Sequence, residues 1–163
     1  MESDLVNAWR MSCEANRFLL ENVPDVALGA FYAPRARTVA RQFAHLHEVR
    51  LRWLAAAAPE LARGLAPLPK EGVLTKKVLM PALVASREAI ASLLEQSAAS
   101  GKVPSWSGPP ATFLAYLVAH EAHHRALAIV ALRAAGHKLP QEVVFGLWEW
   151  GKRSSRRVRK GEA

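Results

Sequence analysis

The sequence has one cysteine, no long apolar run and no stretch in which polar and apolar residues alternate. Because Cys13 is the only cysteine, an internal disulfide is excluded, and we expect a protein of a reducing compartment, the cytoplasm. No apolar run approaches the roughly 18 residues that a membrane-spanning helix needs, so we expect no membrane partner. Residues 1–9 are acidic and lack the basic segment of a secretory signal. The missing alternation argues against β-strands.

Four long stretches have the helical period, and segments rich in Pro and Gly separate them. We expect helices over about residues 4–22, 35–58 and 111–135, and another from near Thr75 to a loop at Ser100. Pro81 either kinks this third helix or marks its first turn. Gly136 is expected to end the last long helix.

These elements predict an all-α fold, an antiparallel, up-down-up-down four-helix bundle. A short amphipathic segment, QEVVFGLWEW, follows the bundle and is expected to be helical. The length of 163 residues fits one domain, which we place at residues 1–151. The last long helix is apolar on more than one side, which predicts a homodimer or cover by the segment with Trp148 and Trp150.

The net charge of +8 is concentrated at the carboxyl end. Residues 152–163 hold six of the 22 basic residues, namely Lys152, Arg153, Arg156, Arg157, Arg159 and Lys160. We expect a solvated, disordered tail rather than a functional basic arm. Because basic and aromatic residues do not interleave and no recognised motif occurs, nucleic acid is not an expected partner.

The fourth helix carries a histidine pair, His120 and His124, inside the run YLVAHEAHHRALAIVALR. Residues four apart lie on one helix face, so two imidazoles at this spacing can close on a single metal ion. His123 points roughly 80° away from His124. Such pairs also occur by chance on exposed faces, or as core histidines bonded to carbonyl oxygens, and two ligands do not make a site.

The second helix offers a third ligand from His45 or His47. The two are about 200° apart around the helix, so only one can face a given point inside the bundle. His47 shares a stripe with Phe43 and Leu54, which slightly favours it as the buried one. Periodicity leaves the choice open.

Three segments, TVARQFAHLHEVRLRWL, AHEAHHRALAIVALRAAGHKLP and GLWEWGKR, resemble the DinB/YfiT-like superfamily of four-helix bundle proteins. The resemblance runs from about Trp9 to Arg153. In that family a Thr-Val about seven residues before a His-Leu opens the ligand helix, which selects His45. A His-x-x-x-His supplies the other two ligands and matches His120 and His124. The resemblance thus implies a site of three histidines.

The chain departs from the family pattern directly after His124. Many members continue that histidine as His-Arg-Gly-Gln-Ile, whereas this chain reads His124-Arg125-Ala126-Leu127-Ala128-Ile129. The Gly and the Gln are therefore absent, and any role of those two positions in packing or in supporting the ligands does not carry over. The three ligand positions themselves are intact.

Three neutral imidazoles suit one Zn²⁺ or Ni²⁺ ion per chain and leave positions open for water or substrate. Such an ion can activate a water molecule or lower the pKa of a thiol. The resemblance implies a metal-dependent enzyme that uses water or a low-molecular-weight thiol, as a thiol-dependent S-transferase or isomerase does. The alternative is a non-enzymatic, metal-stabilised, stress-related binding bundle. Glu48, Arg52 and Arg125 are candidates for supporting the ligands.

A peptidase is the remaining alternative, because HEAHH matches the His-Glu-x-x-His signature of zinc peptidases. Glu121 would then be the general base. The extended form of that motif wants Gly and His where this chain has Leu127 and Val130. Cys13 is expected to be a small buried hydrophobic residue rather than a nucleophile.

Overall fold

The computed structural model describes residues 2–152, and within that part of the chain every regular element is a helix and none is a strand. The elements are α1 (Asp4–Asn22), α2 (Val39–Ala57), α3 (Lys76–Ser100), α4 (Pro110–Ala134) and the short α5 (Gln141–Gly146). Two single-turn helices, Asp25–Ala27 and Pro59–Ala62, lie in the connections. The predicted all-α class with four long helices and a short carboxyl-terminal helix is confirmed. The basic tail from Arg153 onward lies outside the described residues.

The helix that carries His45 begins later than predicted. Arg35 has a φ of 64°, a left-handed conformation that a helix cannot continue through. Thr38 caps α2, because its Oγ1 atom accepts a hydrogen bond from the backbone N–H of Arg41 at 3.2 Å. Residues 35–37 therefore belong to the preceding loop.

The other helix ends agree with the turn chemistry of the sequence. Pro81 lies inside α3 and does not end it. Gly101 follows α3 with a φ of 75°, and Gly136 follows α4 with a φ of 81°. Both values suit glycine, which has no Cβ to clash in the left-handed region.

The contacts between helices give their directions. Ser3, at the start of α1, donates to Glu95 near the end of α3 at 2.6 Å, so α1 and α3 are antiparallel. Arg41, at the start of α2, donates to the carbonyl of Gly72 just before α3 at 2.9 Å. Arg50, further along α2, donates to Leu83, further along α3, also at 2.9 Å. Helices α2 and α3 therefore run in the same direction.

Helix α4 runs against α2, since Gln42 contacts His124 whereas Arg50 contacts Glu121. The order is thus up-down-down-up, and the predicted up-down-up-down order is not observed. The prediction assumed that every connection reverses the chain between neighbouring helix ends. The linker between α2 and α3 instead carries the chain back to the end of the bundle where α2 began.

The core consists of two apolar clusters, one toward each end of the bundle. One cluster includes Leu20 of α1 and Leu132 of α4, and the other includes Trp9 of α1 and Leu94 of α3. Buried polar side chains lie in the middle of the helices, notably those of Arg50 and Glu121. None of the helices in residues 2–152 is long and apolar enough to cross a membrane.

Candidate metal centre

Three histidine side chains meet between α2 and α4. His45 comes from α2, and His120 and His124 come from successive turns of α4. One ring nitrogen of each lies within 4.8 Å of one nitrogen of the other two. The ring centroids are 4.5 Å apart for His45 and His124, 4.6 Å for His120 and His124, and 5.3 Å for His45 and His120. The structure therefore brings together the three residues that the family resemblance selects, which we call the three-histidine cluster.

The nitrogen atoms of the cluster fit a cation. The Nδ1 atom of His45 is buried and has no hydrogen-bond partner in the described part of the chain. The Glu48 carboxylate oxygen lies 3.6 Å from it. A buried ring nitrogen without a partner costs free energy unless a water molecule, a carboxylate or an ion satisfies it, and Glu48 is the carboxylate near this one. Imidazole nitrogen is also a preferred ligand of Zn²⁺ and Ni²⁺.

The imidazoles of the cluster are held neutral. Burial lowers the pKa of His45 and of His120, and the positive charge of Arg37 lowers both further. Burial also lowers the pKa of His124, and with the nearby His45 and His120 rings it brings the value to about 3. All three rings therefore keep a free lone pair near neutral pH, which metal binding requires.

His124 is the most buried of the three and has a partner of its own. Its Nδ1 atom lies 2.7 Å from the Oε1 atom of Gln42 on α2. The Nε2 atom is then the ring nitrogen left for the cluster.

The two remaining histidines near the cluster lie outside it. His47 is buried, as its apolar neighbours predicted, but its Nε2 atom lies 2.9 Å from the carbonyl oxygen of Ala66 in the linker. His123 is exposed, and its ring centroid is 5.1 Å from that of His124. His47 therefore attaches the linker to α2.

Glu121 points into the core and not at the histidines. Its Oε1 atom accepts from Arg50 Nε at 2.7 Å, and its Oε2 atom accepts from Asn16 Nδ2 at 2.5 Å. The side chains of Arg50 and Glu121 are each 1% exposed. A general base must reach the proton that it removes. The peptidase alternative, which assigns that role to Glu121, does not fit this geometry.

The Arg50 guanidinium of α2 also contacts α3 and α1, in addition to Glu121 of α4. It donates to the Leu83 carbonyl at 2.9 Å, to Ser86 Oγ at 3.2 Å and to Cys13 Sγ at 3.4 Å. Cys13 is buried, as predicted, and burial raises the pKa of its thiol.

Of the three residues expected to support the ligands, Glu48 lies beside His45. Arg125 donates to Asn16 Oδ1 at 2.7 Å, and Arg52 is exposed. Sequence reasoning named neither Gln42 nor Arg50, because their roles depend on how α2 and α4 pack together.

Aromatic side chains line one side of the cluster. The Tyr116 ring is nearly parallel to that of His120, with the centroids 6.0 Å apart at an angle of 26°. Trp53 and Trp106 contact Tyr116 with centroids 5.6 and 5.5 Å away. Tyr116 is 37% exposed, so this group of aromatic side chains extends from His120 to the surface.

Comparison with known proteins gives a family. The family model described as "DinB family" matches residues 1–151. The match spans the four long helices and α5, and therefore includes all three clustered histidines. No curated protein matches the sequence.

Proposed function

We propose that this chain, which belongs to the DinB family, binds one divalent metal ion, Zn²⁺ or Ni²⁺, through His45, His120 and His124. The observation that carries the proposal is the approach of three ring nitrogens to within 4.8 Å of one another. The low pKa values of the imidazoles support it, because protons do not compete for the lone pairs near neutral pH.

We propose further that the site is catalytic. Three protein ligands leave at least one position open, as in catalytic rather than structural zinc sites. A bound ion would supply Lewis-acid chemistry and would lower the pKa of a water molecule or of a thiol. Since Cys13 is buried, a reacting thiol would come from a small molecule, which makes a thiol-dependent transferase or isomerase our leading reaction class and a hydrolase the second.

The protein groups around the cluster support binding of a substrate with an apolar part. Tyr116 is partly exposed and borders His120, so a flat or apolar group could lie against its ring. Arg37 is exposed, and its positive charge lowers the pKa of all three histidines. A group with negative charge would be favoured on that side of the cluster.

The second candidate function is a metal-stabilised bundle without catalysis. It is favoured by the buried pair of Arg50 and Glu121, which joins α2 and α4 beside the cluster. A metal ion bound to His45, His120 and His124 would join the same two helices and would stabilise the fold by an amount that rises with the logarithm of its affinity.

We also propose a homodimer formed through α4. The outward side of this helix exposes small and apolar residues, among them Ala115, Ala119 and Val130. Light scattering at micromolar concentration should give twice the mass of the chain, and a monomer mass would contradict this proposal.

Metal binding is tested by elemental analysis of protein purified without a metal-affinity tag. We expect about one ion of zinc or nickel per chain, lost in His45→Ala and His124→Ala. The matched control is His47→Ala, which removes a buried histidine of α2 outside the cluster and should keep the metal. A parent protein that takes up no metal, even after incubation with excess Zn²⁺ or Ni²⁺, would contradict the proposal.

Catalysis is tested separately by comparing apo and metal-loaded protein in panels of thiol-transfer and hydrolase substrates. We expect turnover that needs the metal and disappears in His124→Ala. Equal inactivity of both forms, with one ion bound, would favour the non-enzymatic bundle.

A further inference from the structure

Gln42 of α2 lies next to the three-histidine cluster and contacts one of its members, His124. It lies three residues before His45 on the same helix and is 2% exposed. Its Oε1 atom is 2.7 Å from the Nδ1 atom of His124 on α4. We propose that Gln42 is a positioning residue that holds His124 in the Nδ1–H tautomer and thereby reserves Nε2 for the metal ion. This inference rests on the proposed metal site.

The chemistry of the two groups supports this role. A neutral imidazole has one N–H donor and one lone pair, and either nitrogen can carry the proton. The structure orients Gln42 with its amide oxygen toward Nδ1 of His124. An amide oxygen only accepts hydrogen bonds, so in this orientation Nδ1 of His124 is the donor. The lone pair then resides on Nε2. With the proton on Nε2 instead, His124 would offer no ligand atom to the cluster.

The hydrogen bond also fixes the direction of the ring. The second helix supplies Gln42 and His45 one turn apart, and α4 supplies His120 and His124. Since Gln42 contacts His124 across the α2–α4 interface, the packing that brings His45 to the cluster also sets the angle of the His124 imidazole. Partners of this kind typically affect metal affinity by about 10–100-fold.

A neutral amide has a different consequence from the carboxylate that often occupies this place in metal sites. It orients the imidazole but adds no negative charge beside it. Glu48, 3.6 Å from His45 Nδ1, is the one carboxylate seen near a ring nitrogen of the cluster in the described part of the chain. The Gln42 amide would therefore orient His124 without offsetting the charge of a bound ion.

The experiment uses the full chain and three variants, Gln42→Leu, Gln42→Glu and Gln96→Leu. Gln42→Leu removes the acceptor, Gln42→Glu keeps an acceptor of the same size, and Gln96 is an exposed glutamine of α3 that serves as the control. Competition with a chromophoric chelator measures Zn²⁺ affinity. We expect Gln42→Leu to bind about 10–100-fold more weakly, Gln42→Glu to bind at least as tightly as the parent, and Gln96→Leu to be unchanged.

A second measurement reads the tautomer directly and does not depend on metal. Two-bond ¹H–¹⁵N correlation spectra of the ¹⁵N-labelled apo protein distinguish a protonated from an unprotonated ring nitrogen. We expect the parent and Gln42→Glu to carry the His124 proton on Nδ1, and Gln42→Leu to populate the Nε2–H form. A purely structural hydrogen bond would leave the tautomer and the affinity unchanged in Gln42→Leu, and that result would overturn the inference.

Different results would contradict the proposed metal site and the proposed role of Gln42. If the parent binds no Zn²⁺, the metal site is wrong, whereas the spectra still report the tautomer. If the parent binds Zn²⁺ but its apo spectrum shows the proton of His124 on Nε2, the role of Gln42 is wrong. The parent spectrum decides this even where Gln42→Leu does not fold.

Discussion

Replacing Arg50 by Met should destabilise the bundle strongly. The change removes the charged partner that Glu121 has on α2, and Asn16 remains as its hydrogen-bond donor. Both side chains of the pair are 1% exposed, so the Glu121 carboxylate would stay buried without its cation. Removal of one partner from a buried ion pair typically costs about 3–5 kcal/mol. For a chain of this size each kcal/mol lowers Tm by about 2–4 °C, so we expect a decrease of about 6–20 °C.

Urea unfolding followed by far-UV circular dichroism measures this cost. Glu121→Gln removes the other charge, and the double variant should lose less free energy of unfolding than the two single variants together, because it leaves no unpaired charge. Arg17→Met is the matched control, since Arg17 is 43% exposed in its pair with Glu21. This replacement should change the free energy of unfolding by less than about 0.5 kcal/mol. A cost of Arg50→Met below about 1 kcal/mol, or an additive double variant, would refute the reasoning.

Three further predictions concern the surroundings of the cluster. Because folding lowers the pKa of all three clustered histidines below the unfolded value of about 6.5, the unfolded apo chain binds more protons below that pH. The part of the free energy of unfolding that depends on the three neutral rings should therefore be fully present above about pH 6.5 and should decrease toward pH 3. Urea unfolding at pH 7.5 and at pH 5 would measure this loss, which should be smaller in His124→Phe. Arg37→Gln should raise the pKa of the three rings in NMR titrations, and unchanged values would show that its charge does not act there. His47→Leu leaves the Ala66 carbonyl without its donor and should cost about 1–3 kcal/mol, while chelator competition should give an unchanged metal affinity.

The helices themselves could be predicted because their signals are local. Apolar periodicity gave four long helices, and Gly136 marked the end of α4 through its need for a positive φ. The start of α2 was placed a few residues too early, since nothing local showed that Arg35 adopts a left-handed conformation. Thr38 was available as a capping residue, and its use depends on the loop that precedes it.

The direction of α3 could not be predicted. Residues 58–75 are long enough either to turn at the end of α2 or to return along the bundle. The choice depends on contacts such as that of Arg41 with the Gly72 carbonyl, which are distant in sequence. A short loop would have forced a reversal, whereas this linker does not.

The site was predictable only in part. Helical spacing alone paired His120 with His124, because the rule that residues four apart share a face is local. The choice of His45 came from the family resemblance, since apolar neighbours favoured His47, which is indeed buried but faces the linker. Helical spacing places Gln42 on the same face of α2 as His45, but sequence reasoning assigned it no role, because its contact with His124 exists only once α2 and α4 pack together.

Because Cys13 is buried, the rate at which its thiol reacts can measure how often the bundle opens. Its Sγ atom lies against Arg50 in the middle of the helices, and burial raises its pKa, so the native thiol is almost never a thiolate. We expect a small alkylating reagent to react mainly in the fraction of molecules that open far enough to expose Cys13. The labelling rate under native conditions would therefore report the opening equilibrium without denaturant, and a ligand that binds only the closed form would slow it by the factor 1 + [L]/Kd.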